Sequence, residues 1–143
     1  MSLHGAYDPS NIFAKILRGE APCARVFEDD VALAFMDVFP QVTGHTLVIP
    51  KLAARTILDF PPDAFGPFMT RVHTVARAVE KALAPDGVML MQLNGAPAGQ
   101  TVFHCHFHIL PRSEGEAMKG HGKASMADIG ELNTLAARIA AAL

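Results

Sequence analysis

Apolar residues recur along this chain with two periods, and the places where the period changes divide it into elements. Ile12, Phe13, Ile16 and Leu17 share one helical face behind Ser10 and Asn11, either of which can cap the helix, and Gly19 suits its C-terminal stop. Residues 25–28 and 31–36, separated by Asp29-Asp30, read as a β-hairpin. Gly44 introduces a third strand over residues 45–49, which Pro50 closes. Pro61-Pro62 opens the longest helix, about residues 63–83, with Phe65, Phe68, Met69, Val72, Val75, Ala76 and Val79 on a core stripe. His73 falls off that stripe and is expected on the surface. Pro85-Asp86-Gly87 turns the chain into an apolar strand over residues 88–93. A glycine- and lysine-bearing surface loop over residues 115–122, which carries His121, precedes a closing helix over 129–143 with Ile129, Leu132, Leu135, Ile139 and Leu143 on one side.

The densest chemistry sits in residues 94–112, NGAPAGQTVFHCHFHILPR. His104, His106 and His108 alternate with Cys105, Phe107 and Ile109. Because strand side chains point alternately to two faces, all three imidazoles share one face, while Phe103, Cys105, Phe107 and Ile109 take the core face. The histidine face is then expected to look toward solvent or a ligand, directly after a turn whose Gly95 and Gly99 let the backbone approach a phosphate. With this strand included, the pattern predicts an α+β fold, an antiparallel sheet of about five strands with helices packed on it.

A chain of 143 residues, half of them hydrophobic, is long enough to bury a core and is expected to form one domain over 1–143. Its net charge of −2, with no basic stripe, argues against a nucleic-acid partner and leaves small nucleotides open. Apolar runs fall far short of the ~20 residues that span a bilayer, and the N-terminus lacks the basic-then-apolar order of a signal peptide. The expected compartment is therefore the cytoplasm, with no membrane partner. Cys23 and Cys105 form neither a CxxC pair nor a disulfide framework.

Four readings of the histidine strand compete. Three of the seven histidines in strict alternation make an incidental polar face improbable. A single metal ion fits poorly, because residues i and i+4 of a strand lie ~13 Å apart at a rise of ~3.3 Å per residue, and each zinc ligand must come within ~2.1 Å. Cys105 as a nucleophile fails on geometry, since His104 and His106 point to the opposite face. The fourth is covalent catalysis by histidine, with the metal site kept as a minority reading beside it: a neutral imidazole is an available nucleophile near neutral pH, and its adduct with phosphorus is a good leaving group.

The order His104-Cys105-His106-Phe107-His108-Ile109-Leu110, preceded by AGQTV, resembles the histidine triad (HIT) superfamily of nucleotide hydrolases and transferases. The resemblance extends upstream through NIFAKILRGEAP, AFMDVFP and GHTLVIPK, so it covers a motif-bearing core of about 11–112 and leaves a C-terminal loop and helix over 113–143. It implies that His106 is the nucleophile, and that a backbone carbonyl should hold a proton on its Nδ1 so that Nε2 can attack. His104, His108, the Thr101 hydroxyl and the backbone N–H groups of Gly99, Gln100 and Thr101 would donate to phosphate oxygens or to the leaving group. Ile12, Phe13 and Ile16 would wall the base and ribose pocket. Asp37 would accept from the ribose hydroxyls with Phe35 and Val38 beside it, and Asn94 would join the substrate site. His45 is expected to hold the site together.

The resemblance implies hydrolysis at the α-phosphate of purine nucleoside phosphoramidates or dinucleoside polyphosphates, by a homodimer that joins its sheets. It implies no cofactor beyond magnesium accompanying a polyphosphate substrate. Some relatives hold a structural zinc through a cysteine where Ala14 stands; this chain lacks that cysteine pair, so no metal site is expected. A nucleotide-binding interaction protein with incidental turnover needs the same pocket and stays open at this point.

Overall fold

A computed structural model describes residues 3–120 and 124–143 of the protein, so His121 lies outside the described residues. The chain order is α1 (Ile12–Leu17), β1 (Arg25–Glu28), β2 (Ala32–Met36), β3 (Thr46–Pro50), α2 (Pro62–Leu83), β4 (Gly87–Met91), β5 (Phe107–Arg112) and α3 (Ile129–Ala140). The five strands form one sheet in the order β1-β2-β3-β5-β4, with every neighbour antiparallel. The fold is therefore α+β, as the pattern predicts. No helix among the described residues is long and apolar enough to cross a membrane.

Both faces of the sheet are covered, which is why β2 and β3 read as unbroken apolar runs. On one face Ala32, Ala34, Met36, Val48, Phe107 and Ile109 pack with Phe68, Val72, Val75 and Val79 of α2 and with Leu132, Ala136 and Ile139 of α3. His73 is exposed, as expected. On the other face Leu33, Phe35, Leu47 and Ile49 pack with Phe13 and Ile16 of α1. Asn11, not Ser10, caps α1 by accepting from the Ala14 N–H at 2.9 Å.

The histidine segment departs from the expected strand. β5 begins at Phe107, so only His108 of the three lies within the ladder. Pairing of Thr46 with Ile109, Leu47 with His108 and Val48 with Phe107 would, if continued, bring Ile49 opposite His106 and then Pro50 opposite Cys105. Proline has no N–H to offer the Cys105 carbonyl, its own carbonyl accepts from His104 Nε2 at 2.9 Å, and the Cys105 N–H goes to the Ala54 carbonyl at 2.8 Å. The histidine face is also not open to solvent: His104, His106 and His108 are 1 %, 4 % and 2 % exposed beneath α1 and the N-terminal segment.

Gly44 sets the turn into β3. Its φ is +92°, and a Cβ there would stand 2.5 Å from Leu83 Cδ1 and 2.9 Å from Pro111 Cγ. Gly44→Ala should therefore lower stability by ~2–4 kcal/mol, from backbone strain and overpacking together. Chemical denaturation should show it as a lower midpoint at unchanged slope; an unchanged midpoint would mean that the turn relaxes freely.

Candidate active site

Each histidine of the segment has a distinct polar environment. His104 accepts from the Tyr7 hydroxyl at Nδ1 (2.5 Å) and donates from Nε2 to the Pro50 carbonyl (2.9 Å). Burial holds it below the usual histidine pKa, against a smaller opposing effect from the Pro50 bond. His106 Nδ1 lies 2.6 Å from the His104 carbonyl. A carbonyl only accepts, so Nδ1 carries a proton, and in the neutral ring Nε2 carries the lone pair. The Phe13 ring meets His106 edge-on, centroid to centroid at 4.9 Å, and helps to orient it. His108 Nδ1 lies 2.9 Å from His45 Nε2, and the His106 and His108 ring centroids are 4.9 Å apart.

His106 and His108 line a cavity of about 550 Å³. Ile12, Phe13 and Ile16 from α1, Phe35 from β2, and Asp37, Val38 and Thr101 from the following loops line it too. Apart from Asp37, Thr101 and the two histidines, most of this lining is apolar, and Ile12 is 47 % exposed at the rim. Asp37 presents a carboxylate whose Oδ1 accepts from the Phe39 N–H at 2.8 Å and whose Oδ2 lies 3.4 Å from His45 Nε2. The lining thus combines apolar walls with one carboxylate, one hydroxyl and two imidazoles.

Residues 18–115 match the HIT domain family model. The chain belongs to the HIT family. It is 41 % identical over 107 residues to the adenylylsulfatase HINT3 of Arabidopsis thaliana, a match covering 75 % of this chain and 54 % of that protein. The chain thus spans about half the length of that relative. It is 37 % identical to the adenosine 5′-monophosphoramidase hnt1 of Schizosaccharomyces pombe, over 79 % of this chain and 82 % of that one. A HIT-like protein of Bartonella henselae, described as involved in cell-cycle regulation and crystallised with an unknown ligand, superimposes with a TM-score of 0.89 at 46 % identity, covering 96 % of this chain and 100 % of that one.

Four of the residues that the HIT resemblance placed at the substrate, Asn94, Gly99, Gln100 and His104, stand outside the cavity lining. The Gly99 N–H bonds the Ala96 carbonyl at 2.9 Å and the Gln100 N–H bonds the Gly95 carbonyl at 3.1 Å, so both close the short 3₁₀ turn Ala96–Ala98. The Gln100 side chain ties Gly95, Arg55 and Val102 together, and Asn94 Oδ1 accepts from the Ile57 N–H. These residues build the loop that carries Thr101 to the cavity. Cavity-lining Ala21, Pro22, Cys23, Met36, Phe39, Leu47, Val102 and Ala124 were not singled out from sequence, because small or apolar residues carry no chemical signature there. Cys105 is core: burial pushes its thiol up to about 12, which suppresses the thiolate.

Asp37, His45 and His108 offer ligand atoms within 4.8 Å of one another, near enough to suggest a cation. The Gln41 N–H, however, donates to His45 Nδ1 at 3.1 Å. A metal on Nε2 of the same ring would leave no nitrogen for its proton and require an imidazolate. The cluster therefore suits a hydrogen-bonded chain better than a metal centre.

Proposed function

We propose that this HIT protein is a nucleotide hydrolase acting at the α-phosphate of purine nucleoside derivatives, through a nucleotidyl adduct on His106. The single observation that carries the reading is the 2.6 Å contact between His106 Nδ1 and the His104 carbonyl, which makes Nε2 the nucleophilic atom of a ring lining the cavity. Nε2 forms the new bond to phosphorus, and the leaving group departs with the bonding pair. His108, beside it, donates a hydrogen bond to a phosphate oxygen or to the departing atom. Thr101, which lines the same cavity, adds a hydroxyl. Water then attacks phosphorus, His106 leaves with its electron pair, and the nucleoside monophosphate is released. Donors already in place stabilise the developing charge without reorganising.

In this reading the base lies against Ile12, Phe13, Ile16 and Phe35, and Asp37 and Val38 meet the sugar. Phosphoramidates and dinucleoside polyphosphates are the substrate classes, the latter accompanied by magnesium, and the reading needs no resident metal. The chain works as a single domain in the cytoplasm, without nucleic-acid partners. A panel of adenosine and guanosine phosphoramidates and dinucleoside polyphosphates tests this, with rapid acid-free quench and intact-mass measurement to trap the adduct. Phosphoramidate turnover should survive a strong chelator. No adduct and no turnover on any member, or turnover lost with a stoichiometric zinc, would overturn it.

We further propose a homodimer joined at β4. This strand is a sheet edge, and Val88 and Leu90 on it are 38 % and 47 % exposed. An exposed apolar edge strand invites pairing with another strand. Leu90→Lys should shift the protein from dimer to monomer in sedimentation at micromolar concentration. A wild-type monomer, or a dimeric variant, would remove β4 as the interface.

A further inference from the structure

Gln41 is 4 % exposed and does not line the cavity, yet it joins two parts of the molecule far apart in sequence. Its side-chain Nε2 donates to the Lys119 carbonyl at 2.8 Å, and the Lys119 N–H donates back to the Gln41 carbonyl at 3.0 Å. This two-bond clamp fastens the loop after β2 to the C-terminal segment. The Gln41 N–H in turn donates to His45 Nδ1.

A backbone N–H can only donate, so His45 Nδ1 must accept and the neutral ring carries its proton on Nε2. That proton faces His108 Nδ1 at 2.9 Å, with Asp37 Oδ2 at 3.4 Å favouring the same placement. His108 Nδ1 therefore accepts, and the proton of His108 sits on Nε2. Adding a proton to either ring would set two N–H groups against each other. The reverse arrangement, His108 donating from Nδ1 to His45, closes the bond between the two rings but sets a His45 Nδ1 proton against the Gln41 N–H and leaves a lone pair on His108 Nε2. A lone pair there would repel a phosphate oxygen that an N–H would hold.

We propose that Gln41 is a positioning residue that sets the direction of this chain, keeping His45 and His108 neutral with their protons on Nε2, and that the Lys119 clamp holds it in register. The inference rests on the proposed hydrolase reading for its consequence, but the chain direction stands on the hydrogen bonds alone. It gives the C-terminal segment a positioning role although neither Gln41 nor Lys119 lines the cavity.

Two variants loosen the clamp from its two sides: Gln41→Ala removes the Nε2 donor, and Lys119→Pro removes the N–H that reaches the Gln41 carbonyl. Long-range ¹H–¹⁵N spectra of the imidazoles should show wild-type His45 and His108 as neutral rings protonated on Nε2. In both variants the two ring nitrogens of each histidine should move toward each other, the sign of mixed tautomers. With adenosine 5′-phosphoramidate, kcat should fall on the order of 10-fold while KM stays within about twofold, because the donor matters most as charge develops. Wild-type spectra with His45 protonated on Nδ1, or ring spectra unchanged in both folded variants, would overturn the proposal. So would a loss confined to KM. Absence of turnover in the wild-type protein would instead strike the hydrolase reading, and the ring spectra would still decide the chain.

Discussion

His106→Asn should cut turnover on the order of 10⁴-fold or more, because it removes the atom that forms the bond to phosphorus. Asparagine can still donate to the His104 carbonyl, which now takes the Nδ1 proton at 2.6 Å, so the fold around the site should persist. The apolar wall of α1 and the Asp37 carboxylate are untouched. Affinity for a nucleoside monophosphate should therefore remain within a few-fold of wild type, measured by calorimetry, and no adduct mass should accumulate. A variant that turns over at near-normal rate would end the covalent mechanism. Loss of binding in step with turnover would show that His106 grips the phosphate rather than attacking it.

Asp37→Ala should weaken ribonucleotide binding by about 1.5–3 kcal/mol, since hydrogen bonds from the two hydroxyls to an ionised acceptor are lost. That is roughly a 10- to 150-fold change in Kd. A 2′-deoxy analogue should lose less, because it makes fewer of those bonds. The structure adds a second way for this variant to act: Asp37 Oδ2 also lies 3.4 Å from His45 Nε2. If the carboxylate served only the histidine chain, kcat would fall equally for both sugars and Kd would hardly change. Comparing Kd and kcat on the two sugars separates the roles, and equal binding penalties would remove Asp37 from the ribose.

Local rules alone carried the element boundaries: Asn11 ahead of an amphipathic turn, Asp29-Asp30 between two apolar runs, Gly44 before β3 and Pro61-Pro62 before α2 are short-range signals, and each marks an element end to within a residue or two. The histidine alternation was equally legible, and so was the need for an acceptor at His106 Nδ1. What the alternation could not show is where the strand stops. Pro50 sits more than fifty residues from Cys105, and only strand pairing brings a residue without an N–H to that rung. Whether the histidines face water was likewise undecidable from alternation, because a strand's second face is exposed or buried according to what else packs there; here α1 and Tyr7 cover it. The glycine-rich turn shows the same dependence: flexible backbone suits phosphate, and only the structure shows that the Gly99 and Gln100 N–H groups bond carbonyls within the loop. Direction in a hydrogen-bond chain is a property of all its members at once. The sequence by itself therefore determined the family, the elements and the residue types of the site, whereas only tertiary structure decided which histidine presents a lone pair and which presents a proton, through carbonyls and amides contributed by Pro50, His104 and Gln41.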